Sequence, residues 1–124
     1  MGGKKTKRVK LETKKGHNWF FIMCTWEHEH DRIAMNKWVE VFNFFTRNTE
    51  DEKKKKRHGA LRDQIADEGL NALNLIGKRQ FIISGQTKSN QALQEISSMI
   101  TLGTPIKVEI SAATNVFEFG DINK

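Results

Sequence analysis

Hydrophobic and polar residues alternate in blocks along the chain, and these blocks predict an order of strands and helices. Residues 18–26 form an almost unbroken apolar run, whose length and aromatic content favour a strand that is buried on both faces. Residues 32–46 repeat apolar side chains at helical spacing, and Asp31 stands before them as a candidate N-cap. The apolar surface of this helix is wide, which predicts either deep packing or a place in a subunit interface.

The middle of the chain is polar, and each half of it admits two interpretations. Residues 47–58 predict a solvated connection, which could include a frayed helical end, and the five successive cations from Lys53 to Arg57 offer a second phosphate-binding patch as the alternative. In residues 60–76 the apolar positions recur at helical intervals, which predicts a second helix. The alternative is a strand over 70–76 that a short turn joins to the strand after it.

The last third of the chain returns to a regular alternation of strand and helix. A short buried strand is predicted over 80–84, followed over 85–89 by a loop that leads into the next helix. That helix is predicted over 90–102, and a half-buried strand with alternating apolar residues over 106–110. A final edge strand is predicted over 116–119.

This order of elements predicts an α+β fold. Strands that are separated by helices need crossover connections, and these place the helices on one face of a small sheet, as in a two-layer α/β sandwich. The other face of the sheet would expose apolar side chains, so we expect a homodimer that covers it. No apolar run approaches the ~20 residues that span a bilayer, and the first sixteen residues are too polar for a secretory signal.

Positive charge is concentrated at the start of the chain. Residues 1–16 carry seven basic side chains and one acid, a net charge of +6, which equals the net charge of the whole chain. We therefore predict a basic flexible N-terminal arm over 1–16 and a single neutral domain over 17–124. Clustered cations attract the phosphates of nucleic acids and the headgroups of anionic lipids. The residues predicted to bind anions are Lys4, Lys5, Lys7, Arg8, Lys10, Lys14 and Lys15, with Lys88 from the loop before the last helix.

The first six residues fit a lipidation pattern. Met1 to Thr6 match the signal for N-myristoylation, in which Gly2 would carry the acyl chain. One acyl chain binds a membrane only marginally, and the basic residues beside it would supply the second signal. A peripheral protein of anionic membranes is therefore one alternative function.

A cluster of histidines and acids follows the first strand. If the strand continued, His28 and His30 would project to the same face as Cys24, and two imidazoles spaced in this way can bind Zn²⁺. The same histidines beside carboxylates could serve in acid–base catalysis. We otherwise expect no cofactor, and we interpret Cys24 as a buried structural thiol. Because a single cysteine forms no internal disulfide, we expect a reducing, cytoplasmic location.

Three patterns together resemble a ferredoxin-like domain. They are the aromatic first strand that ends in Thr25-Trp26, the amphipathic helix after it, and the strand–helix–strand unit from Phe81 to Ile110. More narrowly, they resemble the small, uncharacterised single-domain relatives of dimeric α/β-barrel proteins. The resemblance covers about residues 18–112 and rests on hydrophobic patterns. It implies a fold and a dimer in which two sheets pack face to face, and it assigns no catalytic residues.

These observations favour a non-enzymatic binding module. We expect a neutral dimeric domain that presents a basic arm to a polyanion such as RNA, DNA or a ribonucleoprotein. A small dimeric enzyme, or a ligand- or metal-binding protein that uses His28 and His30, is one alternative. A myristoylated peripheral membrane protein is the other.

Overall fold

Four strands and three helices make up the part of the chain that the computed structural model describes, which is residues 12–75 and 77–113. A short 3₁₀ turn over His28–His30 connects the first strand to the first helix. In chain order the elements are β1 (Asn18–Thr25), α1 (Asp31–Phe45), α2 (Glu52–Arg62), β2 (Asn71–Asn74), β3 (Gln80–Thr87), α3 (Asn90–Thr101) and β4 (Lys107–Ala113).

The four strands form one antiparallel sheet in the order β2-β3-β1-β4. β1 lies inside the sheet, with Ile22 opposite Ile83 of β3 on one side and opposite Ile110 of β4 on the other. β2 pairs with β3 at one edge, so these two strands make a hairpin. The predicted α+β class is confirmed, and a small open sheet with its helices is compatible with a two-layer sandwich.

One face of the sheet forms the core together with α1 and α3. Phe20, Ile22 and Cys24 of β1 point to this face and are fully buried, whereas the residues between them are only half-buried. The prediction that β1 is buried on both faces was therefore wrong, because α1 and α3 pack on the same side of the sheet. The helices contribute Ala34, Val41, Phe44, Leu93, Ile96 and Ile100 to the core.

α1 is a core helix on one side and an exposed apolar helix on the other. Trp38 packs on the ring of Phe81 in β3, with 4.6 Å between the ring centroids. Met35, Val39 and Phe42 lie at intervals of three and four residues, which share one side of a helix, and each is about half exposed. The wide apolar surface predicted for this helix is thus divided between core and solvent in the single chain.

The prediction of a helix over 60–76 was wrong, and the prediction of a solvated connection was wrong from residue 52 onwards. A helix does occur, but it is α2, and residues 71–74 form the alternative strand. The buried residues of α2 are His58 and Arg62, which are polar, so the helix has no apolar periodicity to reveal it. Of the apolar residues that follow α2, Ile65 and Ala66 are buried before the hairpin begins, and Ala72 and Leu73 lie in its first strand, β2.

The loop predicted over 85–89 was also wrong in its first part, because β3 continues through Thr87. Gly85 therefore lies inside the strand and does not end it. A Cβ atom at Gly85 would come within 3.2 Å of Leu70 Cδ1 and 3.3 Å of the Phe20 ring, so the close packing of these two side chains favours glycine there. The edge strand predicted over 116–119 lies outside the described residues.

Candidate functional site

α2 carries a dense exposed positive charge. Asp51 caps the helix, since its carboxylate accepts hydrogen bonds from the backbone N–H groups of Lys53 at 3.0 Å and Lys54 at 3.2 Å. The five residues Lys53 to Arg57, which we call the α2 cationic run, are all exposed. None of them forms an ion pair with another residue of the described chain. Their charge is therefore available to an external anion.

The members of the α2 cationic run face different surroundings, because successive helical residues are about 100° apart. Lys54 and Arg57 line a groove between the three helices, together with His58. Lys55 lines a second, smaller cavity beside Arg47 and Arg62. The run is thus both an exposed cationic surface and part of a groove wall.

Most of the basic residues predicted at the start of the chain lie outside the described residues. The positions concerned are Lys4, Lys5, Lys7, Arg8 and Lys10, together with Gly2 of the lipidation pattern. Lys14, Lys15 and Lys88 are described, and all three are exposed. Lys14 Nζ lies 3.5 Å from a carboxylate oxygen of Glu68, an exposed ion pair that stabilises little.

The end of the predicted arm is attached to the sheet through Gln86. This glutamine is fully buried, and its side-chain oxygen accepts a hydrogen bond of 2.6 Å from the Lys14 backbone N–H. Its side-chain nitrogen donates to the carbonyl oxygens of Glu12 at 3.2 Å and Glu68 at 3.3 Å. Trp19 Nε1 also donates to Thr13 Oγ1 at 2.8 Å. Residues 12–14 therefore lie fixed on the domain.

His28 and His30 do not share a strand face with Cys24, because β1 ends at Thr25 and the histidines lie in the 3₁₀ turn. His28 is exposed, and His30 Nε2 lies 3.6 Å from a carboxylate oxygen of Glu29. No group of three or more His, Cys, Asp or Glu side chains in residues 12–75 and 77–113 is placed to hold a metal ion. Zinc binding at this pair stays a prediction.

Cys24 is a buried thiol on the core face of β1. Burial raises the pKa of this thiol to about 12, so it carries no negative charge at neutral pH. A thiol of this kind is a poor nucleophile and a poor metal ligand. The structure is consistent with the packing role that the sequence assigned to it.

Asp31 is the first residue of α1 and does not cap it, because His30 holds the N-cap position. The Asp31 carboxylate instead accepts hydrogen bonds from Trp26 Nε1 at 2.8 Å and from Arg79 Nε at 2.9 Å. The bond from Trp26, followed by that from Arg79, holds the pKa of this exposed carboxyl below its ordinary value. Asp31 thus joins the exit from β1 to the turn before β3.

Two polar residues of α2 are buried although no hydrophobic pattern in the sequence indicates it. Arg62 is only 4% exposed and donates from Nε to the Phe45 carbonyl at 2.9 Å and from Nη1 to the Ile65 carbonyl at 2.8 Å. Its Nη2 donates to a carboxylate oxygen of Asp67. His58 is 9% exposed, and its ring meets the Phe44 ring edge-on. The spacing of four residues between them, which places both on one side of a helix, is the signal that could have found them.

Comparison with known proteins adds no relationship to this geometry. The sequence matches no family model, and no curated protein or solved structure matches the chain. Over residues 12–75 and 77–113, no helix has the length and apolar character that crossing a bilayer requires. The function must therefore be argued from the side chains themselves.

Proposed function

We propose that this chain is a non-enzymatic binding module that presents basic side chains to a nucleic acid, free or within a ribonucleoprotein. The observation that carries the proposal is the α2 cationic run, five exposed cations in succession without an ion-pair partner in the described chain. Such clusters bind nucleic acids by displacing the cations that are condensed on the phosphates, whatever the base sequence. The basic residues that the sequence places before residue 12 would add to the same attraction.

The proposal includes a ferredoxin-like fold. Its support is the order of elements, in which a strand, a helical segment and a strand are followed by a second strand–helix–strand unit, and the sheet order β2-β3-β1-β4. α2 is an addition to this plan between α1 and β2, and it is the element that carries the cations. The proposal keeps the cytoplasmic location, which suits the buried, unpaired thiol of Cys24.

The test of nucleic-acid binding is a comparison of three proteins. The first is the unchanged chain, and the second replaces all five residues from Lys53 to Arg57 by glutamine. The third, a control, replaces three exposed cations elsewhere, Arg32, Lys78 and Lys107, by glutamine. Fluorescence anisotropy measures the binding of a labelled single-stranded RNA at several salt concentrations. A deletion of residues 1–11, which spares the residues held by Gln86, measures the share of the leading basic residues.

The expected result is that affinity for RNA falls as salt rises, and that the five substitutions flatten this dependence. For single strands the slope of log K against log salt is about −0.7 per phosphate contact, so losing five contacts reduces it by up to about 3.5. The control should change the slope much less. An unchanged slope in the five-residue variant, or binding to anionic lipid vesicles in place of RNA, contradicts the proposal.

We also propose that two copies of the chain pair through the sheet face that faces away from α1 and α3. On that face Phe21, Met23 and Ile82 are apolar and only half-buried, and Leu73 is 52% exposed. Covering such a patch removes apolar surface from water, and isologous pairing would also bring two α2 cationic runs into one particle. Two linked cationic surfaces bind a long polyanion more tightly than one.

Analytical ultracentrifugation tests this pairing. We expect the unchanged chain to sediment as a dimer and Met23→Glu to sediment as a monomer, because Met23 lies opposite Ile82 near the centre of the face. Met35→Glu is the matched control, since Met35 is an exposed methionine of α1 on the other side of the molecule. A monomeric mass for the unchanged chain across protein concentrations would rule out the dimer.

A further inference from the structure

The groove between α1, α2 and α3 combines free positive charge with polar lining. It has a volume of about 740 Å³. Lys37 of α1 crosses it, since its Nζ donates to Glu40 at 2.9 Å and to the Met99 carbonyl of α3 at 3.1 Å. Lys37 and Glu40 therefore neutralise each other and connect two walls of the groove. The side chains of Gln91 and Ser98 add neutral hydrogen-bonding groups from α3.

The remaining charge of the groove is positive. Lys54 and Arg57 line it and form no ion pair with another described residue. The acid that remains on the lining once Glu40 is paired with Lys37 is Glu95, an exposed residue of α3. Two unpaired cations one helical turn apart make a suitable site for a single phosphate, whose oxygens can accept from both.

His58 supplies the second, independent observation. Its side chain lines the same groove, the residue is more than nine-tenths buried, and Nδ1 has no hydrogen-bond partner among the described residues. A buried polar nitrogen without a partner is costly, and few such atoms occur in native proteins. Because the imidazole also lines the groove, a charge that enters the groove acts on the protonation of this ring.

We propose that the groove binds a phosphate group between Lys54 and Arg57, and that His58 takes up a proton when the phosphate is bound. The inference rests on the proposed function, since both cations belong to the α2 cationic run, and it names the phosphodiester as the group that the run contacts. The inference adds that phosphate binding depends on pH through His58.

The direction of the pH dependence follows from the charges around His58. Burial, and then the positive charge of Arg57, lower the pKa of the imidazole below its ordinary 6.5, and Glu40 opposes them. Further charges around the two cavities that His58 lines are Lys37, Lys54 and Glu95 on one side and Arg47, Lys55 and Arg62 on the other.

A bound phosphate adds negative charge beside the ring and raises the pKa of His58. The protonated form is then favoured in the complex more than in the free chain. Affinity should therefore increase as the pH falls, by up to about tenfold per pH unit between the two pKa values. Above both pKa values the affinity should become independent of pH.

The test uses the full chain and the dinucleotide UpU, whose one phosphodiester stays ionised while histidine titrates. Nuclear magnetic resonance follows the ring C–H signals of the four histidines during titration with UpU at about pH 6 and about pH 8. Calorimetry in two buffers of different ionisation enthalpy counts the protons taken up. Inorganic phosphate is titrated in parallel, to learn whether the phosphate alone is sufficient.

We expect the His58 signal to shift towards the protonated form, with tighter binding at the lower pH. Arg57→Gln should weaken UpU binding at least tenfold, whereas Lys53→Gln, a loss of the same charge on the same helix but outside the groove, should not. His58→Gln should keep most of the binding and lose its pH dependence. If the His58 variant does not fold, the proton uptake that calorimetry measures on the unchanged chain tests the inference in its place.

Two results overturn the inference. One is UpU binding at about pH 6 without proton uptake, and the other is equal weakening by Arg57→Gln and Lys53→Gln. If the chain binds long RNA in a salt-sensitive manner in either case, the proposed function stands and only the groove assignment fails. If long RNA does not bind, the proposed function itself fails.

Discussion

Arg62→Ala should lower the free energy of unfolding by about 3 kcal/mol, because it leaves one buried and one partly buried carbonyl oxygen without this donor. Those oxygens belong to Phe45 at the end of α1 and to Ile65 after α2. The same guanidinium also binds Asp67 in the segment before β2. One side chain thus connects three successive parts of the chain, and urea unfolding followed by circular dichroism measures what its removal costs.

Two further variants serve as controls for Arg62→Ala. Arg47→Ala removes a similar ion pair with Asp63, but both side chains there are about half exposed or more, so the loss should stay below about 1 kcal/mol. Arg62→Lys keeps the charge, but an ammonium group cannot reproduce the planar set of donors, so it should restore little. If Arg62→Ala costs no more than Arg47→Ala, the three-way connection does not stabilise the fold.

Gln86→Ala should lower the free energy of unfolding by about 2–3 kcal/mol and release residues 12–16 from the sheet. The substitution removes a fully buried amide and leaves the Lys14 N–H and the carbonyls of Glu12 and Glu68 without their partner. Some of these groups regain hydrogen bonds from water once the segment detaches, which limits the loss. Brief trypsin digestion should then cleave after Lys14 and Lys15 faster than in the unchanged chain.

Gln91→Ala is the matched control for this experiment, since Gln91 is an exposed glutamine of α3. It should leave both the unfolding free energy and the rate of cleavage unchanged. If Gln86→Ala cleaves at the rate of the control, the attachment of residues 12–16 does not depend on the buried amide.

The elements that could be predicted from the sequence are those with a regular pattern of apolar residues. α1 and α3 were predicted within a few residues because their buried residues are apolar and recur at helical spacing. β1 and β4 were placed by their runs of apolar residues, but β4 is mostly exposed and not half-buried as predicted. α2 was missed because its buried residues, His58 and Arg62, are those that a hydrophobic pattern treats as exposed. Arg62 attaches the end of this helix to Phe45, Ile65 and Asp67 through hydrogen bonds, and such bonds have no periodic signature.

The candidate site, too, could be predicted from the sequence only in part. The cations from Lys53 to Arg57 are visible in the sequence, but their exposure and their place on a capped helix are not. The groove beside them depends on α1 and α3, which are distant in sequence and meet only in the folded chain. The fixed position of residues 12–14 depends likewise on Gln86, a glutamine inside a strand whose burial no local pattern indicates.

The position of Cys24 has a practical consequence for kinetic work on this chain. The thiol lies at the centre of the sheet, is shielded from solvent, and keeps its proton at neutral pH. An alkylating reagent can reach it only in molecules whose core has opened around β1, through separation of the strands or of the helices that cover them. The rate of labelling therefore reports how often the unmodified molecule opens, without an introduced dye or a denaturant.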